Sequence, residues 1–239
     1  MKFNKYIAFT LAETLIVMGI IGVVAALTIP NLNSSTADKE KVAKVMKIYS
    51  NLNDAYGRAE AVYGPINEWF TNDANYATQS TRFAERMSDF LKVQKSGTSY
   101  NGFFKQKVMR LSGDVQIDFA SAATQGSGYV ILADGASLKL AAVSGHGYID
   151  VDIDGPNKGA STYGKDIFEF ELSANEGVYP KGGVSYTDAL MTSECYKYGI
   201  VCAAWVVKYG NMDYLKVDKS GKCPNGKTVL DGTTNTTCK

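Results

Sequence analysis

The stretch IAFTLAETLIVMGIIGVVAALTIP, residues 7–30, is apolar almost throughout and carries a single charged residue, Glu13. As an α-helix rising about 1.5 Å per residue, the part from residue 9 to residue 29 is long enough to cross a hydrocarbon core of about 30 Å. Two lysines precede the stretch, and most other charged residues follow it. This order predicts a single membrane span, with the basic start in the cytoplasm and the rest of the chain outside it.

Glu13 helps to decide whether this stretch is a membrane anchor, a secretory signal or another kind of segment. A plain membrane anchor is one interpretation, and a cleaved secretory signal with a small-residue site at Ala25 or Ala26 is a second. A charge at the centre of a membrane helix costs about 2.5–3.5 kcal/mol on insertion scales, and less towards the helix end. Neither an anchor nor a signal gains from that cost, and the segment itself holds no cation to pair with the carboxylate.

A third interpretation comes from the residues around Glu13. The stretch AFTLAETLIVMGIIGVVAALTIPNL resembles the N-terminus of type IV pilins and of type II secretion pseudopilins, whose mature chains begin F-T-L-x-E. The resemblance implies that a prepilin peptidase cuts between Ala8 and Phe9 and that the new amino terminus is then methylated. Because the family prefers glycine before the cut, Ala8 implies slower cleavage.

The same resemblance supplies a partner for the carboxylate. It implies that Glu13 pairs with the Phe9 amino group of a neighbouring subunit, so that the missing cation is created by proteolysis and belongs to another chain. Gly22 and Pro30 match a stretch that can unwind in filaments of this family, and both residue types weaken a helix interior. Membrane helices also tolerate glycine and proline, so an unbroken helix is the alternative.

Residues 36–64 predict an amphipathic helix that continues the first one and ends at Gly64-Pro65. Its apolar residues recur at three- and four-residue spacing: Val42, Val45, Met46, Tyr49, Leu52, Tyr56, Ala59 and Tyr63. Such a stripe is typical of a helix that packs on a sheet. A second helix is predicted over 80–93, capped by Ser80 or Thr81, and residues 94–107 look irregular.

Alternating or apolar-rich runs predict about four antiparallel strands within residues 115–120, 128–143, 148–153 and 166–172. Asp134-Gly135 favours a tight hairpin turn in which both central residues take positive φ. A long helix packed on an antiparallel meander is an α+β fold, which the pilin resemblance also implies. The predicted parts are a leader (1–8), a transmembrane filament-core helix (9–30), an amphipathic helix (31–64), a globular α+β head (65–217) and a cysteine-bounded C-terminal loop or tail (218–239).

The four cysteines lie in the last quarter of the chain: Cys195, Cys202, Cys223 and Cys238. None forms a C-x-x-C pair, which argues against zinc. Downstream of an export-type segment they predict two disulfides in an oxidising compartment, with free or buried thiols as the alternative. Of the three connectivities we prefer the local one, Cys195–Cys202 with Cys223–Cys238. The segment between these pairs has Trp205, Val206, Tyr209, Met212 and Tyr214, which are predicted to anchor the chain end on the sheet.

A cluster of acidic residues suggests a calcium site. Asp150, Asp152 and Asp154 alternate along a predicted strand, and D-x-D-x-D-G also opens the EF-hand loop. The twelfth position of that loop is Ser161, not glutamate, so a site here would be of another kind, completed by Asn157 or Asp166. Calcium also occurs in some pseudopilin heads. The alternative is a solvated strand face.

The sequence predicts no enzyme and no required cofactor. His146 is the single histidine, and the sequence contains no hydrolase, metalloprotease or phosphate-binding motif. The net charge of +1 and dispersed basic residues predict no nucleic-acid partner. We therefore expect a filament subunit of a type IV pilus or a type II secretion pseudopilus. A membrane-anchored or secreted calcium-binding domain that does not polymerise is the alternative, and an exported enzyme is a weaker one.

The resemblance also implies partners and a location. The partners are other copies and other pilin-like subunits, the prepilin peptidase, the membrane, an assembly platform and a cytoplasmic ATPase. The chain is expected first in the bacterial inner membrane, with its head outside the cytoplasm, and then in a periplasmic or cell-surface filament.

Overall fold

The computed structural model describes residues 11–69, 75–119, 126–143 and 145–238, except for the side chains of residues 25–35. The chain divides into two compact units, Met1–Glu40 and Lys41–Lys239, which we call the N-terminal and the C-terminal unit. The predicted cleavage point, Ala8 and Phe9, lies outside the described residues.

The first element is helix α1, Leu11–Tyr63. Its backbone is helical through Gly22 and Pro30, so the predicted unwinding, which concerns the assembled filament, stays a prediction. The helix ends at Gly64, which has a φ of 78° and donates its N–H to the Glu60 carbonyl at 3.0 Å. The predicted end at Gly64-Pro65 is therefore confirmed, because the left-handed conformation that suits glycine terminates the helix.

The C-terminal unit is an α+β fold, as predicted, built on antiparallel strands. The strands are β1 Val93–Gly97, β2 Lys107–Met109, β3 Val115–Asp118, β4 Gly128–Leu132, β5 Ser137–Val143, β6 His146–Asp152, β7 Ile167–Ser173 and β8 Gly177–Pro180. Six of them form one sheet in the order β1-β4-β5-β6-β7-β8, while β2 and β3 pair separately. The further helices are α2 Ile66–Trp69, α3 Tyr76–Ser88, α4 Asp188–Tyr198 and α5 Cys202–Tyr209.

Two strand predictions were wrong. The run from residue 115 is a strand, but it pairs with β2 in the small sheet and is not part of the main meander. Residues 94–107 are not all irregular, because β1 pairs with β4 at the sheet edge. An edge strand gains order from its neighbour's backbone, so the mostly exposed and polar β1 shows no apolar alternation that the sequence could reveal.

The hairpin at Asp134-Gly135 is confirmed, but the predicted turn type was wrong. Gly135 has a φ of 91°, whereas Asp134 is not among the residues with positive φ. The Gly135 N–H donates to the Leu132 carbonyl at 2.9 Å, and the Leu132 N–H donates to Ala136 at 2.8 Å. The connection is thus a type I turn followed by one left-handed glycine, the common three-residue hairpin loop.

One face of the main sheet packs against the amphipathic part of α1. Val45, Leu52 and Ala59 are fully buried there, and the ring of Tyr49 stacks on Phe170 with 5.5 Å between centroids. The stripe prediction was wrong at Met46, which is 41% exposed. Ile48, which was not predicted, is buried instead, because the apolar face follows the helical period and not the chemistry of each residue.

Helix α3 also lies on this face, and its predicted cap was wrong. The cap is Asn75, whose side chain accepts the Ala77 N–H at 3.0 Å. Ser80 is buried inside the helix and accepts the Ala142 N–H at 2.9 Å. The helix approaches β4 closely, because a Cβ on Gly128 would lie 2.1 Å from the Ala84 Cβ.

The opposite face of the sheet is also covered. A second apolar cluster forms there: Phe103, Phe104, Val108, Phe119, Tyr129, Tyr163 and Ile167. The sheet is therefore buried on both sides in its centre, so its polar residues there need partners within the protein.

The end of the chain is fixed by disulfides. Cys195–Cys202 joins α4 to the start of α5, and Cys223–Cys238 closes the C-terminal loop, so the preferred connectivity is confirmed. Trp205, Val206, Met212 and Tyr214 are buried in the main core, as predicted, and Tyr209 packs against it.

Candidate functional site

The first part of α1 exposes apolar side chains on all sides. We call residues 11–24 the apolar segment. Its large apolar side chains are between 54% and 79% exposed: Leu11, Leu15, Ile16, Val17, Met18, Ile20, Ile21, Val23 and Val24. Because successive residues turn by about 100° around a helix, these positions occupy its whole circumference. A helix that is apolar all round is normally covered by other helices or by lipid.

Glu13 is an exposed acidic residue in the first turn of this helix. The partial positive charge of a helix N-terminus favours a carboxylate at that position. In the same turn, the Thr14 hydroxyl donates to the Leu11 carbonyl at 2.9 Å. The apolar segment therefore presents one carboxylate near the start of a surface that is otherwise suited to apolar partners.

The predicted membrane span, residues 9–29, extends beyond the described side chains at both ends. Within the portion that the structure describes, no helix meets the length and hydropathy needed to cross a membrane.

The predicted acidic residues are found in three different environments. Asp150 accepts a hydrogen bond from Lys139 at 2.7 Å and another from the Tyr163 hydroxyl. Asp154 points the other way, towards α1, where Lys44 lies at 2.9 Å and Lys41 at 3.8 Å. Asn157 is exposed. The structure therefore does not bring these three predicted ligands together.

Asp152 and Asp166 are the two predicted ligands that do interact. Both are fully buried. Asp166 accepts the N–H groups of Ser161 at 2.8 Å and Thr162 at 2.6 Å. Asp152 accepts the N–H groups of the two residues of its own turn, Asp154 and Gly155, through Oδ1, while its Oδ2 has no partner among the described residues. Burial, and next the charge of Asp166, raise the pKa of Asp152 to about 7.

The solvated-face alternative was wrong, because Asp150 and Asp152 are 3% and 0% exposed. Calcium binding is still a prediction. In the part of the chain described, no group of three or more His, Cys, Asp or Glu residues is arranged to hold a metal ion.

Asp150 belongs to a row of four charged residues that crosses the sheet. We call Lys139, Asp150, Glu169 and Lys181 the charge row. Lys139 is opposite Asp150, and Asp150 is opposite Glu169, in the strand register. Lys181, just after β8, donates to Glu169 at 2.6 Å. Burial, and next the charge of Asp150, raise the pKa of Glu169 to about 7.

The two lysines of this row were not predicted from the sequence. Lys139 stands between two leucines in β5, at a polar position of an alternating strand. That pattern predicts only an ordinary exposed lysine. Its role depends on the register between β5 and β6, and no local pattern encodes that register.

Comparison of the chain with known protein families, with curated proteins and with solved structures found no match.

Proposed function

We propose that this protein is the structural subunit of a filament of the type IV pilus or type II secretion pseudopilus kind. The observation that supports the proposal is the apolar segment, exposed around its whole circumference and carrying Glu13 in its first turn. A second copy of the same helix, or lipid before assembly, would cover that surface. The C-terminal unit then provides the part of the subunit that faces water.

The assembly step depends on an amino group at Phe9, which exists only after cleavage. Cleavage between Ala8 and Phe9 creates a new amino group, which is then methylated. In the filament this group pairs with the Glu13 carboxylate of a neighbouring subunit. Pairing offsets the cost of the buried carboxylate and fixes the axial position of one subunit against the next.

The proposed location follows from the same elements. Before assembly, residues 9–30 span the bacterial inner membrane, and the C-terminal unit lies outside the cytoplasm. The two disulfides support an oxidising compartment. A prepilin peptidase, an assembly platform and a cytoplasmic ATPase are the proposed partners, and the product is a periplasmic or cell-surface filament.

The first experiment is mass spectrometry of the N-terminal peptide from bacterial membranes that contain the full chain and a prepilin peptidase. A peptide that begins with methylated Phe9 is expected. An intact Met1 would instead favour a plain anchor, and a start near Ala26 would favour a secreted protein.

A substitution separates assembly from insertion. Glu13→Val is expected to leave membrane insertion and folding of the C-terminal unit unchanged and to abolish incorporation into filaments. Asp54→Val is the matched control, because Asp54 lies on the same helix and its side chain is 70% exposed. Incorporation is measured in filaments sheared from cells that also make the native subunit. Normal incorporation of Glu13→Val would contradict the proposal and favour a membrane-anchored domain that does not polymerise.

A further inference from the structure

An open groove of about 640 Å³ lies on the C-terminal unit. Four parts of the chain form it: the turn after β2, the β6–β7 connection, the end of α4, and the residues that follow α5. We call it the tyrosine groove, because Tyr196, Tyr198 and Tyr214 line it.

The tyrosine rings are held by fixed parts of the fold. Tyr196 and Tyr198 stand at the end of α4, which the Cys195–Cys202 disulfide joins to the start of α5. The Tyr214 hydroxyl is buried and donates to the Gly164 carbonyl at 2.7 Å. The Tyr196 and Tyr198 side chains remain partly exposed, and the Arg110 guanidinium lies 5.7 Å from the centre of the Tyr198 ring. The exposed part of each ring can contact a ligand with little ordering to lose on binding.

The groove has a positive charge balance. Lys165, Lys197 and Lys219 line it and are exposed, and none of them has a carboxylate within 4 Å among the residues described. Asp218 is the acidic residue in the lining. Its Oδ1 accepts the N–H groups of Ser220 at 2.8 Å and Lys222 at 3.0 Å, so three lysines line the groove against one ionised carboxylate.

We propose that the tyrosine groove binds a segment of an acidic polysaccharide, of the uronic acid type. The flat C–H face of a sugar ring packs on a tyrosine ring, and its hydroxyl groups hydrogen-bond with phenol and serine hydroxyls such as that of Ser112, which also lines the groove. The sugar carboxylates pair with the three lysines. This inference does not depend on whether the chain polymerises.

The mixture of tyrosine rings and separated lysines favours a polysaccharide over a nucleic acid. A single strand of nucleic acid carries a charge at every nucleotide and needs a continuous basic track. Here three lysines are spread among tyrosines with one aspartate, and the whole chain has a net charge of only +1. A uronic acid polymer also carries one charge per unit, but its rings offer C–H faces to the tyrosines and hydroxyl groups to Ser112, so a short segment can bind with three lysines.

The test is calorimetric titration of the full chain, in detergent, with a hexamer of polygalacturonate. Binding is expected, and it should weaken as salt is raised. The variant Lys165→Gln/Lys197→Gln/Lys219→Gln should bind about tenfold more weakly or worse, at an unchanged melting temperature. The control Lys107→Gln removes an exposed lysine from β2, outside the groove lining, and should change the affinity by less than about twofold.

A second variant tests the rings. Tyr198→Leu keeps an apolar side chain at the end of α4 but removes the aromatic face, and it is expected to weaken binding without changing the salt dependence. No binding of the hexamer at millimolar concentration would overturn the proposal. So would equal binding by the triple lysine variant, or tighter binding of a single-stranded oligodeoxynucleotide of the same charge.

Discussion

Lys139 on β5 donates to Asp150 on the neighbouring strand β6 at 2.7 Å, and the two side chains are only 11% and 4% exposed. The Tyr163 hydroxyl donates to the other oxygen of the same carboxylate. Removing one partner from such a buried pair leaves an uncompensated charge, which costs far more than the pair itself contributes.

The first prediction concerns this pair. Lys139→Met is expected to lower the free energy of unfolding by about 3–5 kcal/mol, because Asp150 and Glu169 then share the buried row with Lys181 alone. Lys47→Met is the control, since Lys47 pairs with Asp134 at a similar 2.8 Å but with side chains 60% and 36% exposed. It should cost less than about 1 kcal/mol. Denaturant unfolding measures both, and equal losses would contradict the prediction.

The second prediction concerns pH. Asp152 has its pKa raised to about 7 in the folded protein. Its contribution to stability is therefore fully present below about pH 4 and is lost as the pH rises through 7, because the folded state holds the proton that the unfolded state releases. Asp152→Asn keeps an oxygen for the N–H groups of Asp154 and Gly155 and carries no charge. At pH 8 it should be more stable than the wild type by about 1–3 kcal/mol.

Denaturant unfolding at pH 5 and pH 8 measures this effect as the difference between variant and wild type. The pKa of Glu169 is also raised to about 7, so its ionisation changes the stability of both proteins by the same amount. Taking the difference between variant and wild type removes that shared effect. Asp166, Asp154 and the two lysines near Asp154 surround the site and are kept. Asp54→Asn, on the exposed surface of α1, is the control, and its stability should change with pH as that of the wild type does. Parallel pH profiles for Asp152→Asn and the wild type would refute the assignment.

The third prediction concerns the contact between α3 and β4. Gly128→Ala places a Cβ 2.1 Å from the Ala84 Cβ, so the helix must move away from the sheet. We expect a loss of about 1–3 kcal/mol from overpacking. Gly57→Ala is the matched control, because a Cβ there meets nothing within 4 Å and α1 continues on both sides. Its free energy of unfolding should rise by about 0.5–1 kcal/mol. Thermal melts measure both variants, and melting temperatures that shift in the same direction would contradict the prediction.

The fourth prediction concerns calcium at Asp152, whose Oδ2 has no partner in the described part of the chain. An ion bound by this oxygen and Asp166 would raise the melting temperature of the wild type in millimolar calcium but not that of Asp152→Asn. Magnesium, which prefers a tighter octahedral shell, is the control ion and should act more weakly. A melting temperature that is the same in calcium and in chelator would refute calcium binding at this site.

Where the sequence predictions failed, contacts distant in the chain were the cause. The cap of α3 was predicted at Ser80 or Thr81, yet the Ser80 hydroxyl accepts a hydrogen bond from the N–H of Ala142, a residue of β5. The polar strand β1 exists because β4 is beside it. The disulfide connectivity, in contrast, was predicted correctly, because each pair is close in sequence, with separations of 7 and 15 residues.

The sequence by itself determined the apolar segment with Glu13, the end of α1 at Gly64, the strands β5 to β7 and the hairpin at Gly135. These depend on residue type and local period, which act over a few residues. Only the tertiary structure decided the charge row and the tyrosine groove. Lys139 meets Asp150 through strand register, and Lys165 lies near Tyr198 and Lys219 through the packing of α4 and the chain end, so neither arrangement has a local signal in the sequence.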